Sequence, residues 1–475
     1  MLLFFGCAAD KETPIAPKYL VTFDTGDEGS TIPSQTIVEG DTAARPVTPP
    51  TRAGAFFVDW YADEDCTIPY YFTTTRVTGP LTIYAKWKGY ETVGSVADYL
   101  ASASGGGNPY NPISFKVDLN LDDSIDGWKN LLFTIDLADR YVELDLSDCT
   151  MKGIKFDPGT EDTGEKKIVS LILPNAAQDI EESPSSMAAF RYFVILKEIS
   201  GSNMRSISDR AFENCGALKT VSFPRVTYIG DSAFYYTDLE TAYLPEATYI
   251  GDYAFQYTAL GEANFTEVEK IGEQAFDSCK ALVTVNFPEA IEIGDFAFQS
   301  CSALGEADFP QVTTIGRSAF YDCRALKTAN FPQATSIGDE AFQECIVLNT
   351  VSFPDVTSIG TEAFLGCIAL NTVSFSKAET IGSKAFEKCS ALATASFPKL
   401  TSIGDFAFKS TGGTSLEITF EAEAPTVGTD IFSSVEVSKP ITVKIPFNTL
   451  SSYNSDWKDS FTGGNPRIEL NIKTY

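Results

Sequence analysis

The stretch Leu218-Lys-Thr-Val-Ser-Phe-Pro-Arg-Val-Thr-Tyr-Ile-Gly-Asp-Ser-Ala-Phe234 decides the fold, because the chain rewrites it coil after coil. Its Ala-Phe phenylalanine recurs at Phe212, Phe234, Phe255, Phe276, Phe298, Phe320, Phe342, Phe364, Phe386 and Phe408, in steps of 22, 21 and 21 residues and then six of 22. A unit this short cannot bury a core alone, so each must stack its apolar face on its neighbours, and the array is a solenoid with one continuous core. Leu218, Val221 and Phe223 are placed to point inward while Lys219, Thr220 and Ser222 face solvent, the alternation of a strand. Neighbouring coils add these strands into a parallel sheet. Proline closes most of them, since it cannot donate the next ladder bond. The Gly230-Asp231 pair predicts a free backbone turn and then an N-cap, so that a short helical turn carries Ala233 and Phe234 into the core. The expected fold class is α/β: a parallel strand ladder with short helical turns.

Working outward, Leu-x-Leu strand chemistry repeats at irregular spacing in Tyr141-Val-Glu-Leu-Asp-Leu146, Val169-Ser-Leu-Ile-Leu-Pro174 and Leu196-Lys-Glu-Ile199, and reads as three degenerate coils. Helical signals at 93–102 and 128–137 precede or adjoin them. An open solenoid end exposes core, so residues 90–140 are expected to form an N-terminal cap, 141–411 the solenoid, and 412–475 a C-terminal coil and cap. Before the cap, residues 18–89 change to short alternating runs such as Phe56-Phe-Val-Asp-Trp-Tyr61 and Leu81-Thr-Ile-Tyr-Ala-Lys-Trp87, punctuated by Gly, Pro and Asp, and predict a small β-rich domain. Residues 1–17 read as the remnant of an apolar segment followed by a polar, proline-bearing tether.

Composition limits the chemistry. The 475 residues hold 35 lysines and arginines against 64 aspartates and glutamates, a formal net charge of −29, with no basic run. Nucleic acid and anionic membrane surfaces are poor partners for such a chain, because phosphate binding needs clustered positive charge. There is no histidine. That removes the usual general base near neutral pH and the commonest nitrogen ligand for metals, so Ser-His-Asp, Cys-His and His-containing zinc sites are excluded. A glycosidase built on paired carboxylates would need two acids at a fixed separation in a cleft, which the repeat does not promise. No catalytic residue, cofactor or metal site is expected.

Ile-Gly-x-x-Ala-Phe-x-x-Cys followed by Leu-x-x-Val-x-Phe-Pro resembles the BspA-like leucine-rich repeat proteins of bacterial surfaces, over the chain from about Tyr141 onward. The succession of Val-Thr-Phe-Asp, Ile-Pro-Ser-Gln, Phe-Val-Asp-Trp-Tyr and Leu-Thr-Ile-Tyr-Ala-Lys-Trp resembles the Listeria-Bacteroides repeat, also called the internalin B-repeat. The second resemblance implies a β-grasp-like spacer. The first implies extracellular surface display, adhesion to host proteins, glycans or other bacteria, and a lipid or wall anchor. Met1-Leu-Leu-Phe-Phe-Gly-Cys7 resembles a bacterial lipobox, which would make Cys7 the lipidation site and the only route to a membrane. The alternative from another class is a structural, self-assembling module of the cell envelope.

Three constellations stand out from the repeat. Cys215, Cys279, Cys301, Cys323, Cys345, Cys367 and Cys389 share one coil position. Their side chains run parallel instead of converging, so buried free thiols are expected and not disulfides. Seven tyrosines, Tyr228, Tyr235, Tyr236, Tyr243, Tyr249, Tyr253 and Tyr257, fall in the two coils that have 21-residue spacing and Thr237 or Thr258 in place of cysteine. In-register pairs Tyr228 with Tyr249 and Tyr236 with Tyr257 are expected to stack. The cluster is either a contact patch, as tyrosine suits binding hot spots, or a cover for a bend at the short coils. Lys219, Glu240 and Glu262 join it as candidate partner-binding residues on the outward strand stripes. Lastly, Asp118-Leu-Asn-Leu-Asp122 through Asp126 imitates the start of a calcium loop, but Asp123 stands where glycine is needed and Lys129 where the terminal glutamate belongs, so it reads as an acidic loop before a helix.

Overall fold

The computed structural model describes residues 16–26, 29–52, 55–159, 164–180, 188–411, 416–432, 441–462 and 470–474, and Cys7 lies outside them. β1 (Lys18–Asp24), β2 (Gln35–Val38), β3 (Phe56–Tyr61) and β4 (Leu81–Lys88) form a four-stranded sheet in the order β2-β1-β4-β3. The central β1–β4 pair is parallel and both outer pairs are antiparallel, so the N-terminal β-rich unit is built on a mixed sheet. This unit has its own core around Val21, Phe23, Trp60 and Ile83, with Phe23 and Trp60 meeting edge to face at 5.1 Å.

Two helices then cover the solenoid's first end. α1 (Val93–Ser102) begins at a capping box between Thr92 and Ser95. α2 (Trp128–Ala138) follows the acidic loop, whose carboxylates are spent on the backbone: Asp123 accepts from Ile125 and Asp126, and Asp126 accepts from Val93. Between the helices, β5 (Ile113–Lys116) pairs in parallel with β6 (Val142–Asp145). The first rung of the ladder therefore lies inside the 90–140 segment, 29 residues ahead of the second, without the proline-closed signature of later coils. At the far end the strands Leu416–Thr419, Ile441–Ile445 and Leu470–Thr474 extend the ladder. Helix Ser455–Thr462 lays Phe461 against Phe432 at 4.9 Å and Trp457 against Phe420.

Each regular coil has two short strands. The first, such as Thr328–Asn330, pairs in register with Thr350–Ser352 of the next coil. The second, such as Ser336–Ile337, belongs to an eleven-stranded ladder that runs unbroken from Ser206–Ile207 to Thr426–Val427. The first ladder is interrupted after Thr241–Tyr243, after Thr284–Asn286 and after Thr350–Ser352.

The third wall corrects the expectation of a helical turn. From Gly316 to Cys323 the chain makes consecutive tight turns, and the N–H groups of Ser318, Phe320 and Asp322 donate at 2.8 Å to the carbonyls of Asp339, Ala341 and Gln343 in the next coil. Ser318 and Asp322 have φ of +50° and +60°. Left-handed residues four positions apart turn these N–H groups along the solenoid axis, whereas a helix would use them within the coil.

The repeat glycine, and the aspartate that stands after this position in several coils, also act between coils. A Cβ on Gly316 would lie 2.5 Å from the Gly294 carbonyl carbon, so glycine is needed for close approach and not for a left-handed φ. Asp231 does not cap its own coil; its Oδ1 accepts the Asp252 N–H at 2.9 Å, and Asp209, Asp252, Asp295, Asp339 and Asp405 do the same for the coil that follows each of them.

Two phenylalanine columns fill the interior. Phe320 stacks on Phe342 at 5.3 Å with the rings 1° from parallel, Phe309 stacks on Phe331 at 5.3 Å, and the columns meet edge on, as at Phe320–Phe331. Each buried ring contributes about 1.5–3 kcal/mol and each ring pair about 0.5–1.5 kcal/mol more. The cysteines line this core as free thiols.

Candidate partner-binding face

The two short coils lose their residue at one place. Cys-x-x-Leu becomes Thr237-Asp-Leu239 and Thr258-Ala-Leu260, which removes one residue from the turn that feeds the first strand. Thr237 turns its hydroxyl to its own coil, donating to the Phe234 carbonyl at 2.9 Å. In cysteine-bearing coils the thiol instead reaches back across the core, as Cys301 does to Phe276 at 3.1 Å.

The seven tyrosines divide over three walls. Tyr228 and Tyr249 sit at the outward position of the unbroken ladder and stack at 5.1 Å with the rings 1° apart, as expected. Tyr235, Tyr236 and Tyr257 gather on the turn wall. There the expected Tyr236–Tyr257 stack is instead an edge-on contact, 5.8 Å apart and 61° between planes, because Tyr235 meets Tyr257 edge on at 6.0 Å and shares the space. Tyr253 lies on the same wall at a φ of +60°, and Tyr243 lies on the other ladder, in the last strand before its first interruption. Tyr228, Tyr236, Tyr243 and Tyr257 are exposed.

The coil fixes the backbone at these sites but not the residue. The left-handed position two residues after the core phenylalanine holds Asn214, Tyr236, Tyr257, Ser278, Ser300, Asp322, Glu344, Lys388 and Ser410 in different coils, all with φ near +60°. Polar side chains serve the fold there, and tyrosine, bulkier and less at ease in that region, appears only in the two short coils. The same holds on the unbroken ladder, whose outward stripe is otherwise Ser206, Lys270, Glu292 and then serine or threonine from Thr314 to Thr426.

The remaining candidates lie on the interrupted ladder. Lys219 and Glu240 bond to each other at 2.7 Å on adjacent coils, with Asp238 3.5 Å from the same ammonium. Glu262 is exposed and stands in the strand just past the interruption, opposite Thr284.

Charge gathers beside the tyrosine pair. Asp209, Asp231 and Asp252 run in a row at one coil spacing, each linked to the next backbone. Partial burial and the repulsion of Asp209 and Asp252 hold the Asp231 carboxyl above its ordinary range. Burial, then Asp209 and Asp231, raises the Tyr228 hydroxyl, and burial, then Asp231 and Asp252, raises that of Tyr249. A groove of about 430 Å³ continues from there along the same wall, lined by Asp252, Lys270, Glu273, Glu292, Asp295 and Thr314. This aspartate row lies off the first-strand stripes that hold Lys219, Glu240 and Glu262. The signal was the Gly-Asp pair itself, whose aspartates recur at one coil spacing and so must form a row.

Among the described residues, no group of three or more cysteines, aspartates or glutamates could hold a metal ion, and no helix is long and apolar enough to cross a membrane.

A parallel ladder built from coils of about 22 residues, with buried Leu, Val and Phe columns and a solvent-facing strand stripe, defines a leucine-rich repeat solenoid. The family model described as BspA type Leucine rich repeat region matches in six copies over residues 164–282, 248–335 and 313–439, and the chain belongs to that family. The Listeria-Bacteroides repeat domain matches residues 19–86. A curated protein of Evansella cellulosilytica described as a Gly-rich membrane protein is 37% identical over 71 residues, which is 15% of this chain and 8% of that protein's length. Among solved structures, a leucine-rich repeat protein from Bacteroides ovatus is 20% identical, with 68% of this chain and 92% of that one covered and a TM-score of 0.35. A leucine rich cell surface protein from Faecalibacterium prausnitzii is 21% identical over 63% and 84% of the two chains, with a TM-score of 0.34. The T. pallidum leucine rich repeat protein is 22% identical over 45% and 86%, with a TM-score of 0.27. Both matching families are typical of bacterial cell-surface proteins, and repeat proteins of this family are typically non-enzymatic binding modules.

Proposed function

We propose that the chain is a non-enzymatic bacterial surface adhesin, displayed outside the cell through a lipid on Cys7, whose solenoid holds a host protein, a glycan or another bacterium at its tyrosine-rich coils. The observation that carries this reading is the placement of tyrosine on the outward stripe of the unbroken ladder and at the left-handed position two residues after the core phenylalanine, where the other coils use serine, threonine, asparagine, aspartate, glutamate, lysine or glycine. The fold gains nothing there from an exposed ring, whereas tyrosine offers large contact area at low entropy cost. A cover for a bend would need the rings packed down, and four of the seven are exposed.

The test is a binding array of matrix proteins and surface glycans probed with the full chain and with the Tyr243→Ser, Tyr249→Ser, Tyr257→Ser triple variant. Loss of capture at an unchanged melting temperature supports the reading. A variant that binds as well as the parent, or that only melts earlier, removes it. Concentration-dependent assembly of the ligand-free chain on size exclusion would favour the self-assembling envelope module instead.

A further inference from the structure

The geometry points to a specific partner chemistry for the wall that carries Tyr228 and Tyr249. It receives an extended segment of a partner protein presenting arginine or lysine, with one cation over the open face of Tyr228 beside Asp209 and others along the acidic groove. This inference rests on the reading of the tyrosine-rich coils as a contact site and names what they contact.

Four observations lead to it. The stacked pair leaves its two outer ring faces pointing along the solenoid axis. In register next to Tyr228 stands Ser206, too small to cover a phenol ring, and Tyr228 remains 42% exposed. Next to Tyr249 stands Lys270, but its ammonium turns to Glu292 at 3.3 Å. Of the cations that lie over rings in the described chain, none lies over Tyr228 or Tyr249.

Carboxylates flank this uncovered aromatic surface. Asp209, Asp231 and Asp252 run beside the pair, and Glu273, Glu292 and Asp295 line the groove beyond, with Lys270 as the only cation in its lining. Arg210, adjacent in sequence to Asp209, lies 3.9 Å from Glu213. A ring face attracts a cation through its quadrupole, and a row of like charges along a groove raises the local concentration of the opposite sign. The two effects select the same ligand. A neutral glycan could stack on the rings and hydrogen-bond to the acids, but only a cation gains from their charge and from the ring quadrupole together.

The chain's charge of −29 will attract any basic peptide weakly, so the test must separate site from background. A fluorescein-labelled nonapeptide alternating arginine with serine is titrated with the full chain by anisotropy, alongside the same peptide with citrulline for arginine. The parent should bind the arginine peptide and not the citrulline peptide, and binding should weaken as salt is raised. The Tyr228→Ser, Tyr249→Ser variant keeps every charge and should bind about fivefold more weakly. Tyr228→Leu with Tyr249→Leu, which keeps apolar bulk, should lose as much, so a folding defect in the serine variant does not decide the matter. Tyr71→Ser, which removes an exposed tyrosine of the N-terminal β-rich unit, should bind like the parent. Equal binding of the citrulline peptide, or binding at the parent's strength by both tyrosine double variants, overturns the inference. Tyrosine-dependent capture of a matrix protein or glycan without arginine-peptide binding overturns it alone and leaves the adhesin reading standing.

Discussion

The thiol of Cys345 donates a hydrogen bond of 3.1 Å to the main-chain carbonyl of Phe320, 25 residues earlier and one coil away. Cys301, Cys323, Cys367 and Cys389 repeat the bond to Phe276, Phe298, Phe342 and Phe364. Where the ladder ends, Thr411 takes the position and donates through its hydroxyl to Phe386. The cysteine column is thus a column of buried donors, each giving a second hydrogen bond to a phenylalanine carbonyl that already accepts a main-chain N–H, as Phe320 does from Cys323 at 3.3 Å.

Replacing Cys345 separates donor from bulk. Cys345→Thr keeps a donor of the kind Thr411 supplies and should cost less than about 1.5 kcal/mol. Cys345→Val has the same shape as threonine but leaves the Phe320 carbonyl with only the Cys323 N–H, at 3.3 Å, and should cost about 0.5–1.5 kcal/mol more. Thermal unfolding of the two variants side by side measures the difference, and equal melting would mean the bond contributes nothing.

The thiols should be inert in the folded chain. Burial pushes Cys149, Cys215 and Cys279 up to about 12 and drives Cys301, Cys323 and Cys367 well above the usual thiol range. Since the thiolate is the reactive form, a thiol reagent at pH 8 should modify Cys66, the partly exposed one among the described cysteines, and reach the rest only after denaturation. Rapid labelling of the native ladder would contradict its burial.

Two glycines one strand apart should respond oppositely to alanine. Gly316→Ala forces a Cβ to 2.5 Å from the Gly294 backbone, which can relax only by separating coils, and should cost about 1–3 kcal/mol or more. Gly305→Ala meets nothing within 4 Å and should fall within about 0.5 kcal/mol of the parent. Denaturant midpoints of the pair decide it.

Asp231 makes a pH prediction. Its carboxyl is raised above the ordinary 3.8, first by burial and then by Asp209 and Asp252, against the opposing effects of the Asp252 N–H and Arg210. A raised acid in the folded state favours folding when protonated, so its contribution is present below about pH 4 and is lost as pH rises through the folded value. Asp231→Asn keeps an oxygen acceptor for the Asp252 N–H and removes the charge. It should melt slightly higher than the parent at pH 7, by less than about 1 kcal/mol for so exposed a group, and the advantage should vanish by pH 3. A variant less stable at pH 7 would show that the charge strengthens the inter-coil bond more than repulsion weakens it.

Much of this architecture was legible because a repeat states its own geometry. The inward Leu218, Val221 and Phe223, the burial of the cysteine column and the Tyr228–Tyr249 stack all follow from one period and strand alternation. The limits of α1 fall where the helical signal lies, since Thr92 and Ser95 mark its start locally. The first rung was not legible, because Ile113–Lys116 earns its place by pairing with Val142–Asp145 and carries no proline or Ala-Phe signature.

What the sequence alone determined is the period, and with it the stacking of coils, the continuous apolar core and the absence of histidine chemistry. What only the tertiary structure decided is where each coil spends its polar groups. Asp231 bonds the next coil and not its own, the turn N–H groups of Ser318, Phe320 and Asp322 run along the axis and not into a helix, and seven tyrosines adjacent in sequence part onto three walls. A period fixes which residues share a position, but a hydrogen bond to a neighbour 21 residues away and the wall a side chain stands on exist only once the coils are stacked.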